Sequence, residues 1–190
     1  MILVIDNYDS FTFNLVHELR SQGFDAQVRR NDAVTIDDVR RLGPSHLVIS
    51  PGPGHPRNAG ICCDLIRELG PSTPVLGVCL GHQAIGLAFG ARIGHAPTLR
   101  HGEATRVYHD SGPLFRGVRS PFEGGRYHSL IVEEEGLPAE LEVTAFTSEG
   151  VIMAMSHRTH PIHGVQFHPE SILTPEGKLI LRNYVQGNEG

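Results

Sequence analysis

A chain of 190 residues, 39% of them hydrophobic, holds enough apolar material for one globular domain with a substantial core, read here as a single domain over residues 1–190. A formal net charge of -5, with Lys and Arg scattered along the chain, leaves no electrostatic footprint for nucleic acid or an anionic membrane, so small or uncharged partners are expected. Three cysteines, two of them adjacent at Cys62 and Cys63, make no disulfide framework, and free thiols point to a cytoplasmic location.

The start, Met1-Ile2-Leu3-Val4-Ile5-Asp6, meets an acid after five residues and reads as a first strand rather than a leader peptide. No apolar run approaches the roughly 20 residues that span a bilayer. Helix-like Thr12 to Ser21 follows, then strand-like Phe24 to Arg29, helix-like Ile36 to Leu42, strand-like His46 to Ser50 and helix-like Ile61 to Leu69. This alternation predicts a mostly parallel sheet with helices on both faces. The second half changes character, with short β-rich stretches at Thr105 to His109, Leu141 to Thr147, Val151 to His157 and Gly164 to Phe167, and a closing helix from Gly177 to Gln186. An antiparallel extension of the main sheet accounts for that shift. Repeats, low-complexity tracts and interdomain linkers are absent.

Between the halves stands Gly77-Val78-Cys79-Leu80-Gly81, preceded by the short apolar run Pro74 to Leu76 and followed by a helical stretch from His82 to Phe89. Glycines two positions either side of a cysteine suit a sharp strand-to-helix turn that holds a nucleophile at its apex. The same pentapeptide also fits a tight turn whose Cys packs in the core. Near the other end, Gly164-Val165-Gln166-Phe167-His168-Pro169-Glu170 places a His and a Glu two positions apart. Residues i and i+2 of an extended chain share a side, so Glu170 can fix the tautomer of His168. A nucleophile, a base and its orienter are then all present.

Active sites of open α/β sheets form beyond the carboxyl ends of strands, and three loops fall there: Asp6 to Ser10, Ser50 to Gly54, and the cysteine turn. Asp9 or Ser10 is the expected cap of the helix at Thr12. Pro51-Gly52-Pro53-Gly54 can present a backbone N–H to a developing oxyanion, or be an ordinary surface turn. Neither Gly-x-x-x-x-Gly-Lys-Ser/Thr nor Gly-x-Gly-x-x-Gly occurs, which leaves nucleotide binding without support.

Taken together, Gly77 to Gln83, the Pro51 to Gly54 loop and Val165 to Ser171 resemble the triad-type (class I) glutamine amidotransferases nearly end to end. Asp6 to Thr12, Gly125-Arg126-Tyr127-His128-Ser129-Leu130 and His168 to Thr174 further resemble the glutaminase subunit of anthranilate synthase and aminodeoxychorismate synthase. The resemblance implies a flavodoxin-like α/β fold and hydrolysis of L-glutamine through a thioester on Cys79, with His168 as acid and base and Glu170 as its orienter. It implies an oxyanion hole from the amides of Gly52 and Leu80. Gly52, Pro53, Gly54, Gln83, Ser129 and Leu130 would hold the substrate. Gln83 also follows from geometry, four residues after Cys79 on one helical face.

No acceptor-binding feature remains once these residues are assigned. The resemblance therefore implies a separate chorismate-using synthase subunit, with Mg²⁺ in that partner and no cofactor or metal in this chain. The Asn7 to Phe11 loop and the rim around Cys79 are the expected contact surface, and Leu99 to Glu103 resembles the family's partner-side segment. His157, His160 and His163 are expected in a solvated turn rather than at zinc, and His82 in a structural role along its helix. A stand-alone γ-glutamyl cysteine hydrolase and a non-enzymatic module with a vestigial site are the alternative readings.

Overall fold

In a computed structural model of the chain, residues 1–97 and 102–187 are described. The elements run β1 (Ile2–Asp6), α1 (Thr12–Ser21), β2 (Ala26–Arg30), α2 (Ile36–Leu42), β3 (His46–Ile49), α3 (Cys62–Leu69), β4 (Val75–Val78) and α4 (Leu80–Phe89). They continue with β5 (Ile93–His95), β6 (Glu103–His109), β7 (Phe122–Arg126), β8 (Leu130–Val132), β9 (Leu141–Phe146), β10 (Ile152–His157), β11 (Ile162–Val165) and α5 (Gly177–Gln186). Short 3-10 turns cover Pro56–Asn58 and Pro113–Phe115.

A nine-stranded sheet has the order β2-β1-β3-β4-β11-β10-β9-β6-β7. The pairings from β2 to β11 are parallel and those from β11 to β7 antiparallel, which matches the expected parallel half with its antiparallel extension. Strands β5 and β8 form a separate antiparallel pair that the sequence reading did not anticipate. β7 was also unanticipated, because Phe-Glu-Gly-Gly-Arg carries two glycines that weaken any strand signal.

β1, β3 and β4 are buried along their whole length because helices cover both faces, and their continuous apolar runs follow from that. Ile2 and Val4 face one core with Leu15, Val16 and Leu19 of α1 and Ile180, Leu181 and Val185 of α5. Leu3 and Ile5 face the other, with Leu65 and Ile66 of α3 and Ala84 and Ile85 of α4. Each fully buried Leu or Ile of this kind stabilises the fold by about 1.5–3 kcal/mol. The Tyr184 hydroxyl ties α5 to the sheet by donating to the carbonyls of Leu47 (2.7 Å) and Pro74 (2.9 Å). α2 has a complete capping box, Thr35 with Asp38, and ends on Gly43 in the left-handed region at φ 55°.

α1 is not capped as expected. Phe11 is its N-cap and makes no side-chain cap bond; Asp9 instead accepts from the Phe11 amide at 2.8 Å, closing the turn before the helix. No helix among the described residues is long and apolar enough to cross a membrane.

Candidate active site

Cys79 leaves β4 and caps α4 with φ 52° and ψ -100°, a conformation that costs a non-glycine residue on the order of 1–3 kcal/mol. The helix begins at Leu80, two residues before the sequence reading placed it, so the thiol sits directly at the helix N-terminus. Both flanking glycines are required by close approach. A Cβ on Gly77 would lie 2.4 Å from the Gly81 carbonyl, and one on Gly81 would lie 2.3 Å from the Ile49 carbonyl oxygen.

The sheet explains how two segments almost ninety residues apart come together. β4 and β11 pair in parallel with Val78 opposite Val165, and the Cys79 amide continues the ladder to the Val165 carbonyl at 2.8 Å. The chain from Gln166 to Glu170 therefore emerges at the same sheet end as the cysteine turn. His168 is fixed there by backbone bonds: its N–H donates to Gly125 (3.0 Å), and its carbonyl accepts from the Thr174 hydroxyl (2.7 Å). The rings of Tyr127 and Phe11 pack edge-on against its imidazole at 4.9 Å and 5.2 Å.

His168 Nδ1 pairs with Glu170 Oε1 at 2.6 Å, with the two side chains 3% and 0% exposed. Burial works to lower the proton affinity of the ring. The neighbouring Cys79 and the hydrogen-bonded Glu170 overcome that penalty and leave it pushed up to about 10. The near-neutral base expected from an isolated imidazole is thus replaced by an imidazolium held between the Cys79 sulfur and the Glu170 carboxylate, a property of the group as a whole.

Gly52, Pro53, Gly54, Gln83, Ser129 and Leu130 line one cavity of about 160 Å³ together with Cys79, and Tyr127 and His128 complete its wall. His168 and Glu170 do not line it, their side chains being buried. Neither the Leu80 nor the Gly52 amide donates a hydrogen bond among the described residues, so both are available to a ligand oxygen. The Gly52 loop is pinned by Asn7, whose backbone and side-chain N–H groups donate to the hydroxyl and carbonyl of Ser50, each at 2.9 Å. A Cβ on Gly52 would meet the Asn7 Cβ at 2.6 Å.

Sequence reasoning missed Asn7, Phe11, Tyr127, His128 and Gln166 as individual site residues. Gln166 was detectable, since it shares with His168 the side-by-side spacing used for Glu170. Burial, then the neighbouring Arg126, lowers His128 to about 4, so its ring is neutral. Burial likewise pushes Cys62 up to about 12 and raises Cys63, which keeps both as inert thiols on α3. His82 is fully buried on α4 against Gly164, and burial lowers it to about 3. His157 and His160 stack ring on ring at 4.3 Å, with His157 Nδ1 accepting from the amides of Thr159 and His160, each at 3.1 Å. His163 departs from the expected solvated turn, standing largely buried on β11 with its Nδ1 paired to the Ser156 hydroxyl at 2.8 Å. Leu99 to His101 lie outside the described residues.

A strained cysteine elbow, a carboxylate-paired imidazole and two unbonded amides near one polar cavity are what a thiol-dependent acyl transfer would require. Comparison with known proteins specifies the class. Residues 3–187 match the model of the class-I glutamine amidotransferase family. The chain is 52% identical over 186 residues to anthranilate synthase component 2 of Azospirillum brasilense, covering 97% of this chain and 95% of that one. It is 50% identical to the aminodeoxychorismate/anthranilate synthase component 2 of Bacillus subtilis (98% and 96% covered). It is 49% identical to the bifunctional protein TrpGD of Thermotoga maritima, spanning 97% of this chain but 32% of that longer protein. Among solved structures, a Thermoplasma acidophilum protein assigned as a GMP synthase subunit superposes with a TM-score of 0.86 at 30% identity, covering 97% of this chain and 92% of that one. The chain belongs to the class I glutamine amidotransferases and is an enzyme of that class.

Proposed function

We propose that this chain is the glutaminase subunit of a chorismate-using synthase, hydrolysing L-glutamine at Cys79 and delivering ammonia to a partner that makes anthranilate or aminodeoxychorismate. The observation that carries the glutaminase reading is the continuity of Cys79, His168 and Glu170 beside a cavity lined by Gly52, Gln83, Ser129 and Leu130. The partner reading rests on relatives that match over nearly their whole length and are named as synthase components.

On this reading the Cys79 thiolate attacks the side-chain carbonyl carbon of glutamine. The Leu80 and Gly52 amides stabilise the resulting oxyanion, each worth about 3 kcal/mol in comparable sites. The His168 imidazolium gives its proton to the departing nitrogen, releasing ammonia and leaving a γ-glutamyl thioester. Water then attacks the thioester while His168 takes a proton from it, and glutamate leaves with the thiolate restored. Glu170 keeps the ring charged and oriented throughout. Mg²⁺ belongs to the partner, and no step in this chain passes through it.

Tyr8, Phe13 and Ile172 are exposed large apolar side chains, and all three stand in the segments that carry the site: the β1–α1 loop, the first turn of α1, and the loop after Glu170. Apolar groups held out in this way suit a docking surface for the synthase. A stand-alone γ-glutamyl hydrolase is not favoured by these relatives.

The test is Cys79→Ser in the complex. Glutamine-dependent synthesis is expected to be lost while synthesis from ammonium salts continues. Retained glutamine hydrolysis rejects Cys79 as nucleophile, and failure to co-elute with any chorismate-using synthase on size exclusion rejects the partner.

A further inference from the structure

Two buried glutamines, Gln83 in the cavity wall and Gln166 bonded to it, reach Cys79, and the hydrogen bonds around them have one consistent direction. Arg126 Nε, which can only donate, lies 3.0 Å from His128 Nε2. That nitrogen must accept, so the proton of this neutral ring sits on Nδ1, which donates to the Leu130 carbonyl at 2.9 Å. The same carbonyl accepts from Gln83 at 2.9 Å, and only the amino end of Gln83 can face it. The second hydrogen of that amino group goes to Gln166 Oε1 at 3.2 Å. With its oxygen so occupied, Gln166 turns its own amino group to the Cys79 sulfur, 3.6 Å away.

We propose that Gln166 is a positioning residue that donates a side-chain hydrogen bond to the Cys79 sulfur, favouring the thiolate and aiming it at the cavity. The Leu130 carbonyl, which can only accept, fixes the Gln83 amide, and Gln83 in turn locks the Gln166 amide in the donating orientation. A flipped amide would set its oxygen against the thiolate and the Gln83 amino group against another amino group. Gln166 has no exposed surface, so water does not compete for the sulfur. Its backbone N–H is held by the Met153 carbonyl at 2.9 Å, which places it in the strand register beside Cys79. An amide N–H binds a thiolate far better than a thiol, because charge-assisted bonds are roughly twice as strong as neutral ones. This inference rests on the reading of Cys79 as the nucleophile.

The experiment measures the rate of iodoacetamide alkylation of Cys79 from about pH 5 to about pH 9, with the modified peptide identified by mass spectrometry. It is run on the full chain as wild type, Gln166→Leu and Gln166→Glu, alongside glutaminase kinetics with the synthase bound. Removing one hydrogen bond to a charged group shifts an equilibrium about tenfold at the weak end of the range. Gln166→Leu is therefore expected to move the acidic limb of the alkylation rate about one unit to higher pH, and to lower kcat about tenfold with KM changed by less than roughly threefold. Gln166→Glu keeps the side-chain shape and still accepts from Gln83, yet presents a carboxylate oxygen to the sulfur. Its limb is expected to move at least as far. Cooperative unfolding of either variant with the acidic limb left where it is in wild type overturns the proposal, since a merely structural residue changes stability without moving that limb. Alkylation at Cys79 that leaves glutaminase activity intact rejects the nucleophile assignment itself, and the role of Gln166 with it.

Discussion

Replacing Glu170 by Gln removes the charge that neutralises a buried imidazolium while keeping the side-chain shape. The pair is 2.6 Å apart with both side chains essentially fully buried, so at an effective dielectric constant of about 20 their attraction is about 6 kcal/mol. Desolvation of the two ions offsets part of this, and removal of one partner from such a pair costs about 3–5 kcal/mol. In Glu170→Gln burial still lowers the His168 proton affinity, and Cys79 alone opposes it, so the ring falls from about 10. The ring then loses its resting charge, which must be re-formed on the way to the transition state. At 1.36 kcal/mol per tenfold, the glutaminase kcat falls by about 10²–10⁴, while ammonium-driven synthesis by the complex is unchanged. The assay is glutamate release by the complex, with circular dichroism confirming the fold. A folded variant within about tenfold of wild type refutes the assignment of Glu170 as the charge partner of the acid-base residue.

Acid should destabilise the fold through His82, His128 and His163, whose proton affinities burial lowers from 6.5 to about 3, 4 and 4. Their contribution is intact above pH 6.5 and is lost as pH falls, because the unfolded rings bind protons that the folded rings refuse. Three rings at about 1.4 kcal/mol each lose on the order of 4 kcal/mol by pH 5.5. His168, raised to about 10, holds its proton more tightly folded than unfolded and offsets about 1.4 kcal/mol of this, leaving a net loss of about 3 kcal/mol, measurable as a fall in the urea midpoint from its value at pH 7.5. A net loss below about 1 kcal/mol would show that these rings are not held neutral, and His163→Gln should remove about half of the net effect. Gly81→Ala puts a methyl 2.3 Å from the Ile49 carbonyl oxygen and must displace the elbow. A stability loss of about 1–3 kcal/mol and a drop in kcat on the order of a hundredfold are expected, and unchanged kinetics would disprove the close-approach role of that glycine.

Much of the site is written in short stretches of chain. Gly77 and Gly81 announce the elbow because only hydrogen fits at those two positions, and the backbone around Cys79 is bent by its immediate neighbours. His168 and Glu170 are paired locally, though by a turn after β11 rather than by the extended chain their spacing suggested. The apolar runs of β1, β3 and β4 declare buried parallel strands, because only strands covered on both faces are apolar throughout. What the sequence left dark is what depends on distant partners. β5, β7 and β8 are strands by virtue of their pairing, and the glycines of β7 run against strand propensity because Phe167, Ser171 and Leu173 press on them: a Cβ on Gly125 would stand 3.0 Å from Leu173 and one on Gly124 3.2 Å from Phe167.

Local rules also cannot say which strand lies beside which, since any strand's backbone can pair with any other's. That β11 rather than another segment lies against β4 was settled by the packing of the whole sheet. With that choice came the approach of His168 to Cys79, the protonated state of the imidazole, and the position of Gln166 at the sulfur. The residue types capable of the chemistry are thus set by composition and spacing along the chain. Their proton affinities and hydrogen-bond directions are set only in the folded protein, because burial and charge pairing act through space.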